Sequence, residues 1–148
     1  MNDILLNKAA IYASRCEHCE NEVREKLLGW GGSEEEADEI ITYLTEERYI
    51  NNQRYANSYT RDKFRFNHWG KYKIGIMLRN KDICNEIIEE ALNQIDEEEY
   101  LEKLEQILRD KLRSLKYSSE YEKKGKLFKF AQSRGFESSA ISKVIDGL

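Results

Sequence analysis

The sequence predicts an all-α fold, with three tandem three-helix repeats forming an elongated, curved helical protein. Three observations lead there. The chain has no proline in 148 residues, where average usage would place about seven. Proline removes a helical hydrogen bond and clashes with the preceding turn, so its absence points to helix nearly throughout. Apolar residues recur three and four apart along most of the chain. The third observation is that this pattern repeats.

The repeat is anchored on three short turns, Gly31-Gly32, Asp82-Ile83 and Gly135-Phe136. Their second residues are 51 and 53 positions apart. Nine residues before each stand Val23, Ile74 and Leu127, and five before stand Leu27, Leu78 and Ala131. Five after stand Ala37, Ile88 and Ile141, and eight after stand Ile40, Ala91 and Val144. Nine after stand Ile41, Leu92 and Ile145, and twelve after stand Leu44, Ile95 and Leu148. All are apolar. The repeats are expected at 1–50, 51–96 and 97–148. Units this small bury little apolar surface alone, so neighbours must stack.

The elements follow in order. Ile4, Leu5, Ala9, Ile11 and Tyr12 place a helix over 3–15, and Val23, Leu27 and Leu28 place one over 20–30. Ser33 with Glu36 forms a capping box, and Glu34–Glu36 put negative charge at the positive end of the helix dipole. That helix runs on through Ile40, Ile41 and Leu44. Helices are expected at 52–66, 71–80 and 83–95. From Glu98 to about Ser114, Leu101, Leu104, Leu108 and Leu112 form one stripe. Two last helices fall near 120–133 and 138–147.

A chain of this length can bury a core without staples. Its composition, 40% hydrophobic and 35% charged, excludes a disordered protein. The N-terminal residues lack the basic and apolar regions of a signal peptide, and nowhere do 18 apolar residues run together. Three cysteines without a secretion signal fit a reducing, cytoplasmic compartment. Nothing in the pattern marks a dimer seam, so a monomer is expected.

The formal net charge of −4 hides a strong alternation. Residues 1–47 carry net −8, residues 48–81 net +8, residues 82–122 net −8 and residues 123–148 net +4. The basic centre holds nine basic residues against one acidic. A stretch of this kind faces a phosphate backbone or an acidic protein surface. On a helix, Arg54, Arg61 and Arg65 share one face, while Tyr55, Tyr59 and Phe66 share another, of which two are expected in the core. Arg61, Arg65 and Arg54, with Lys63, Lys71 and Lys73, form the candidate binding face, because Arg contacts phosphate or carboxylate bidentately and Lys adds point charge. Trp69 and Gly70 end the helix. Gly70 suits a left-handed cap, and Trp69 either packs under it or lies exposed as a platform.

Enzymatic chemistry is not expected. Cys16-Glu17-His18-Cys19 supplies two or three of the four ligands that structural zinc needs, and Cys84 and His68 are single and distant. On a helix, Cys16 and Cys19 would share a face and His18 would point elsewhere. No residue nearby reads as an orienting group for a Cys–His nucleophile. Gly29-Trp30-Gly31-Gly32 sits between helices, with no Lys-Ser or Lys-Thr after it, so it is no phosphate loop. Glu34–Glu36 and Glu97–Glu99 read as helix starts. No cofactor and no metal are expected.

With these residues in place, the chain resembles the RecX family of bacterial regulatory proteins. Glu17-His18, Glu22-Val23, Lys26-Leu27, Ser33 and Leu44 match its first repeat. Tyr49 to Asn52, Arg54-Tyr55-Ala56, Tyr59 and Arg61 match the stretch that follows. Gly70, Ile74, Leu78, Lys81 and Ile83 match the second repeat, and Leu127 to Ile145 is similar to the third. Two departures stand out. Gly31-Gly32 replaces the family's Gly-Phe, and Asp82 replaces Gly, which asks a non-glycine to hold that cap. The resemblance implies tandem three-helix repeats. It also implies a protein that binds the RecA recombinase filament on single-stranded DNA, lies in its groove, and restrains strand exchange, ATPase and co-protease activity. A stand-alone helical DNA-binding protein is the rival expectation, since three-helix units also resemble helix-turn-helix modules. A helical scaffold for another protein is a third.

Overall fold

A computed structural model describes residues 1–148. The chain is all-helical, with nine helices. They are α1 Asp3–Arg15, α2 Glu20–Gly29, α3 Glu34–Glu46, α4 Asn52–Arg65, α5 Lys71–Asn80, α6 Asn85–Asn93, α7 Glu97–Ser114, α8 Glu120–Ser133 and α9 Ser138–Ile145. The expected helices are all present, with ends moved by two residues or fewer.

Side chains set the starts. The Asn2 Oδ1 accepts the Leu5 N–H at 3.2 Å, and its amide donates to Glu36 at 2.9 Å. The capping box forms as read: Glu36 N–H donates to Ser33 Oγ at 3.1 Å and Ser33 N–H to Glu36 Oε1 at 3.0 Å. Asp96 caps α7 through the Glu99 N–H, and Ser119 caps α8 through the Glu122 N–H. Each cap satisfies a donor that the helix itself cannot pair.

The three anchoring turns share one backbone geometry. Gly31, Asp82 and Gly135 all take positive φ, at 92°, 59° and 91°. In each, the N–H of this residue donates three residues back, to Leu28, Arg79 and Gln132. The next N–H donates five residues back, to Leu27, Leu78 and Ala131. This closure satisfies the last helical carbonyls and requires a left-handed residue. Asp82 therefore holds the cap that the two glycines hold in the other copies. Of the eighteen aligned apolar positions, fourteen are buried, and only Leu92, Ile95, Val144 and Leu148 are half-buried.

The chain packs as two compact units. One comprises Met1–Tyr59 with Leu78–Ala91, the other Thr60–Met77 with Leu92–Leu148. In the first, Leu5, Ala9, Val23, Leu27, Ile40, Leu44 and Ile50 form the core. In the second, α7, α8 and α9 pack on one another. Leu104, Leu108 and Leu127 are fully buried there, and Tyr100 lies between Phe64 and Phe136, with ring centroids 5.7 and 5.1 Å away.

Candidate nucleic-acid and protein interface

The second unit is pinned where α5 begins. Tyr100 Oη accepts the Lys71 N–H at 2.9 Å and donates to the Glu137 carboxylate. Burial, then that carboxylate, pushes the Tyr100 hydroxyl well above its ordinary pKa, so it stays a donor. Gly70 N–H donates to the Arg134 carbonyl at 2.8 Å, and Tyr72 N–H to that of Gly135 at 3.0 Å. A Cβ on Gly70 would overlap the Gly135 carbonyl and the Phe136 nitrogen. Gly70 is thus required for close backbone approach. The left-handed residue that ends α4 is instead His68, at φ 58°, with the Trp69 N–H donating back to the Lys63 carbonyl. This corrects the expected cap at Gly70.

Around that hinge of hydrogen bonds stands the aromatic and basic run. Trp69 is half-buried, with Lys73 Nζ 4.5 Å and Lys63 Nζ 5.0 Å from its ring centroid. Cations over an indole face draw on the ring's quadrupole, and the indole in turn fixes where those charges sit. Phe66 is 76% exposed and Tyr72 65% exposed beside it in sequence. Arg65 and Lys71 turn to the first turn of α7, at 3.6 Å from Glu99 and 3.9 Å from Glu97. Arg61 lies 4.0 Å from Asp62 and is exposed. Tyr55 is buried and Tyr59 half-buried, so the core face holds two of the three aromatics and Phe66 is the one outside it.

Arg54 lies in the first unit and is engaged differently. Its Nε donates to Glu17 at 2.5 Å, and its Nη2 to the carbonyls of Arg48 and Tyr49 at 3.3 Å each. Arg48 is another left-handed non-glycine, at φ 63°, closing the turn after α3. Arg54 is therefore a clamp on that turn. Sequence spacing placed it on a face with Arg61 and Arg65 but carried no sign of Glu17, 37 residues away.

A second basic and aromatic cluster escaped the sequence reading. Lys111 Nζ and the Arg134 guanidinium lie 5.0 and 5.2 Å from the Phe130 ring. They line a cavity of about 320 Å³ with His68, Ile107 and Asp110. Burial, then the charges of Lys103 and Arg134, lowers the His68 pKa. The basic balance of residues 123–148 was its only trace in the sequence.

The cysteine cluster falls between α1 and α2, outside the helices expected at 3–15 and 20–30, so the shared helical face of Cys16 and Cys19 does not form. Cys16 and Cys19 are not helical: both have extended backbone, at the end of α1 and the start of α2. Cys16 Sγ lies 3.2 Å from His18 Nε2, and His18 Nδ1 lies 3.0 Å from Glu22 Oε1. An orienting group is therefore present, and it is Glu22. Cys19 is fully buried, and desolvation pushes its thiol pKa up. No group of three or more His, Cys, Asp and Glu is arranged to hold a metal ion. No helix is long and apolar enough to cross a membrane.

Comparisons with known proteins place this architecture. The family model for the second three-helix domain of RecX matches residues 51–92, and that for the third three-helix domain matches 97–145. A regulatory protein RecX of Prosthecochloris aestuarii is 32% identical over 143 residues, which span 97% of this chain and 92% of that relative. The chain belongs to the RecX family. A regulatory protein RecX of Clostridium botulinum is 31% identical over 128 residues, 85% of this chain. That match spans 59% of the relative's own length. The crystal structure of RecX from Lactobacillus salivarius is similar with a TM-score of 0.91 at 27% identity, covering 99% of this chain and 95% of that one. Members of the family are regulatory proteins by name, and the RecX domain models fall on the two stretches that contain Trp69 and Phe130.

Proposed function

We propose that this chain binds the RecA recombinase filament on single-stranded DNA and restrains its recombinase, ATPase and co-protease activities by binding, without catalysing a reaction on either. The family membership supports a regulatory role. The observation that carries the binding mode is the Trp69 ring flanked by Lys63 and Lys73 in a stretch of net +8. Positive charge held beside an aromatic face suits a single-stranded phosphate backbone or an acidic recombinase surface. Arg61, Arg65 and Lys71 extend that face. Arg65 and Lys71 meet phosphate only by exchanging Glu99 and Glu97 for it, an exchange between surface groups, of which Lys71 and Glu99 are half-buried, that involves small energies. Arg54 contributes by holding its turn. The protein acts as a monomer, in the cytoplasm, with repeats at 1–50, 51–96 and 97–148 as its working units.

Fluorescence anisotropy on labelled single-stranded DNA, with and without the cognate recombinase and ATP, tests this at two salt concentrations. Binding that appears mainly once the filament is present supports the proposal. Equal binding to bare DNA, falling steeply with salt, makes the protein a DNA binder first and overturns it.

A further inference from the structure

We propose that Cys16 is a thiol–disulfide exchange site for a low-molecular-weight peptide disulfide, with His18 as its base and Glu22 as the group that orients His18. The proposal is independent of the recombinase reading. Cys16 is exposed, and it is joined to a chain of side chains. Its Sγ lies 3.2 Å from His18 Nε2, and the opposite ring nitrogen lies 3.0 Å from Glu22. Glu22 is held as a carboxylate by its other partners: Lys81 Nζ donates to it at 3.2 Å and the Cys19 N–H at 3.3 Å. A carboxylate only accepts, so Nδ1 carries the ring proton toward it. In the neutral ring this leaves the Nε2 lone pair facing the Cys16 thiol. The Tyr12 ring stacks on His18 with centroids 3.8 Å apart and planes 16° off parallel, which fixes the imidazole plane.

The surroundings suit a charged peptide. A neighbouring cavity of about 440 Å³, which Cys16 and His18 do not themselves line, shares Tyr12 and Glu22 with this chain of groups and is lined further by Glu25, Lys26, Trp30 and Lys81. Its Glu25 and Lys26 supply both signs of charge to a ligand that carries carboxylates and ammonium groups. The step is balanced. Nε2 takes the Sγ proton, the thiolate attacks one sulfur of the incoming disulfide, and the S–S bond of that disulfide breaks. A Cys16 mixed disulfide forms, and the departing thiolate leaves with the proton from the imidazolium. Cys16 is oxidised and one sulfur of the reagent is reduced.

Cys84, the other exposed thiol, and buried Cys19 are internal references. The native protein is treated with glutathione disulfide at pH 7, and adducts are followed in time by peptide mass spectrometry. Cys16 is expected to react at least about tenfold faster than Cys84, a floor set below the roughly hundredfold low end of base assistance. In His18→Gln, checked for helix content, the two rates are expected to converge. Equal rates in the native protein overturn the proposal, as does an undiminished Cys16 rate in a folded His18→Gln. Should His18→Gln not fold, Glu22→Gln is read by the same ratio, and an unchanged ratio there overturns the proposal.

Discussion

Gly70 and Gly29 are both glycines near a helix end, and the structure gives them opposite weights. Beside Gly70 the backbone of Gly135 approaches so closely that any Cβ would force the two segments apart. Two backbone hydrogen bonds, from Gly70 to Arg134 and from Tyr72 to Gly135, depend on that approach. Gly29 has no atom within 4 Å of a Cβ and lies at the last position of α2. Gly70→Ala should therefore destabilise by more than about 2 kcal/mol, in the range of overpacked or strained sites. Gly29→Ala should be neutral or stabilising by about 0.5 kcal/mol, since alanine loses less backbone entropy in a helix. Denaturant melts of both variants measure the difference, and equal midpoints would mean that the close approach carries no energy.

At the scale of elements, the start of α2 is held by charge. Burial alone would raise the Glu22 pKa, but hydrogen bonds from His18, Lys81 and the Cys19 N–H outweigh it and hold the carboxyl below its ordinary 4.5. Its folded pKa is lower than its unfolded one, so the stabilisation is fully present above about pH 4.5 and is lost as pH falls through the folded value. Glu22→Gln should flatten the acid limb of the stability profile and lower stability at neutral pH, which denaturant melts between pH 3 and pH 7 would record. An acid limb as steep as that of the native chain would remove Glu22 from this role. The helices were legible in the sequence because their signals are local: Ser33 with Glu36, the leucine stripe of α7, and the turn residues Gly31, Asp82 and Gly135. The joints were not legible. Glu17 with Arg54, Lys81 with Glu22 and Gly70 with Gly135 lie 37, 59 and 65 residues apart. Spacing within one helix carries no information about such partners. The same limit explains the cysteine cluster: a helical face would set His18 apart from Cys16, whereas the extended backbone between α1 and α2 brings it to the thiol.

For the whole molecule, the net charge of −4 would weaken any contact with nucleic acid if it were spread evenly. It is not spread evenly, and screening shortens electrostatic reach to about 8 Å at physiological salt, so local charge decides. Within the basic stretch the cations are not equivalent. Arg54 is committed to Glu17 and two carbonyls, while Arg65 and Lys71 neighbour acids of α7. Lys63 and Lys73 both lie over the Trp69 ring, which fixes where their charge sits. A Lys63→Glu, Lys73→Glu pair should therefore weaken binding to the recombinase-coated strand by about tenfold or more. If both lysines meet phosphates, the slope of log affinity against log salt should also fall by about 1.4, from roughly 0.7 per single-strand phosphate contact. Both side chains are partly exposed, so the melting midpoint should move little. Reduced affinity with an unchanged salt slope would assign the lysines to the recombinase surface rather than to DNA. Unchanged affinity in a folded double variant would remove the Trp69 face from the interface and leave Lys111 and Arg134, around Phe130, as the next basic cluster to reverse.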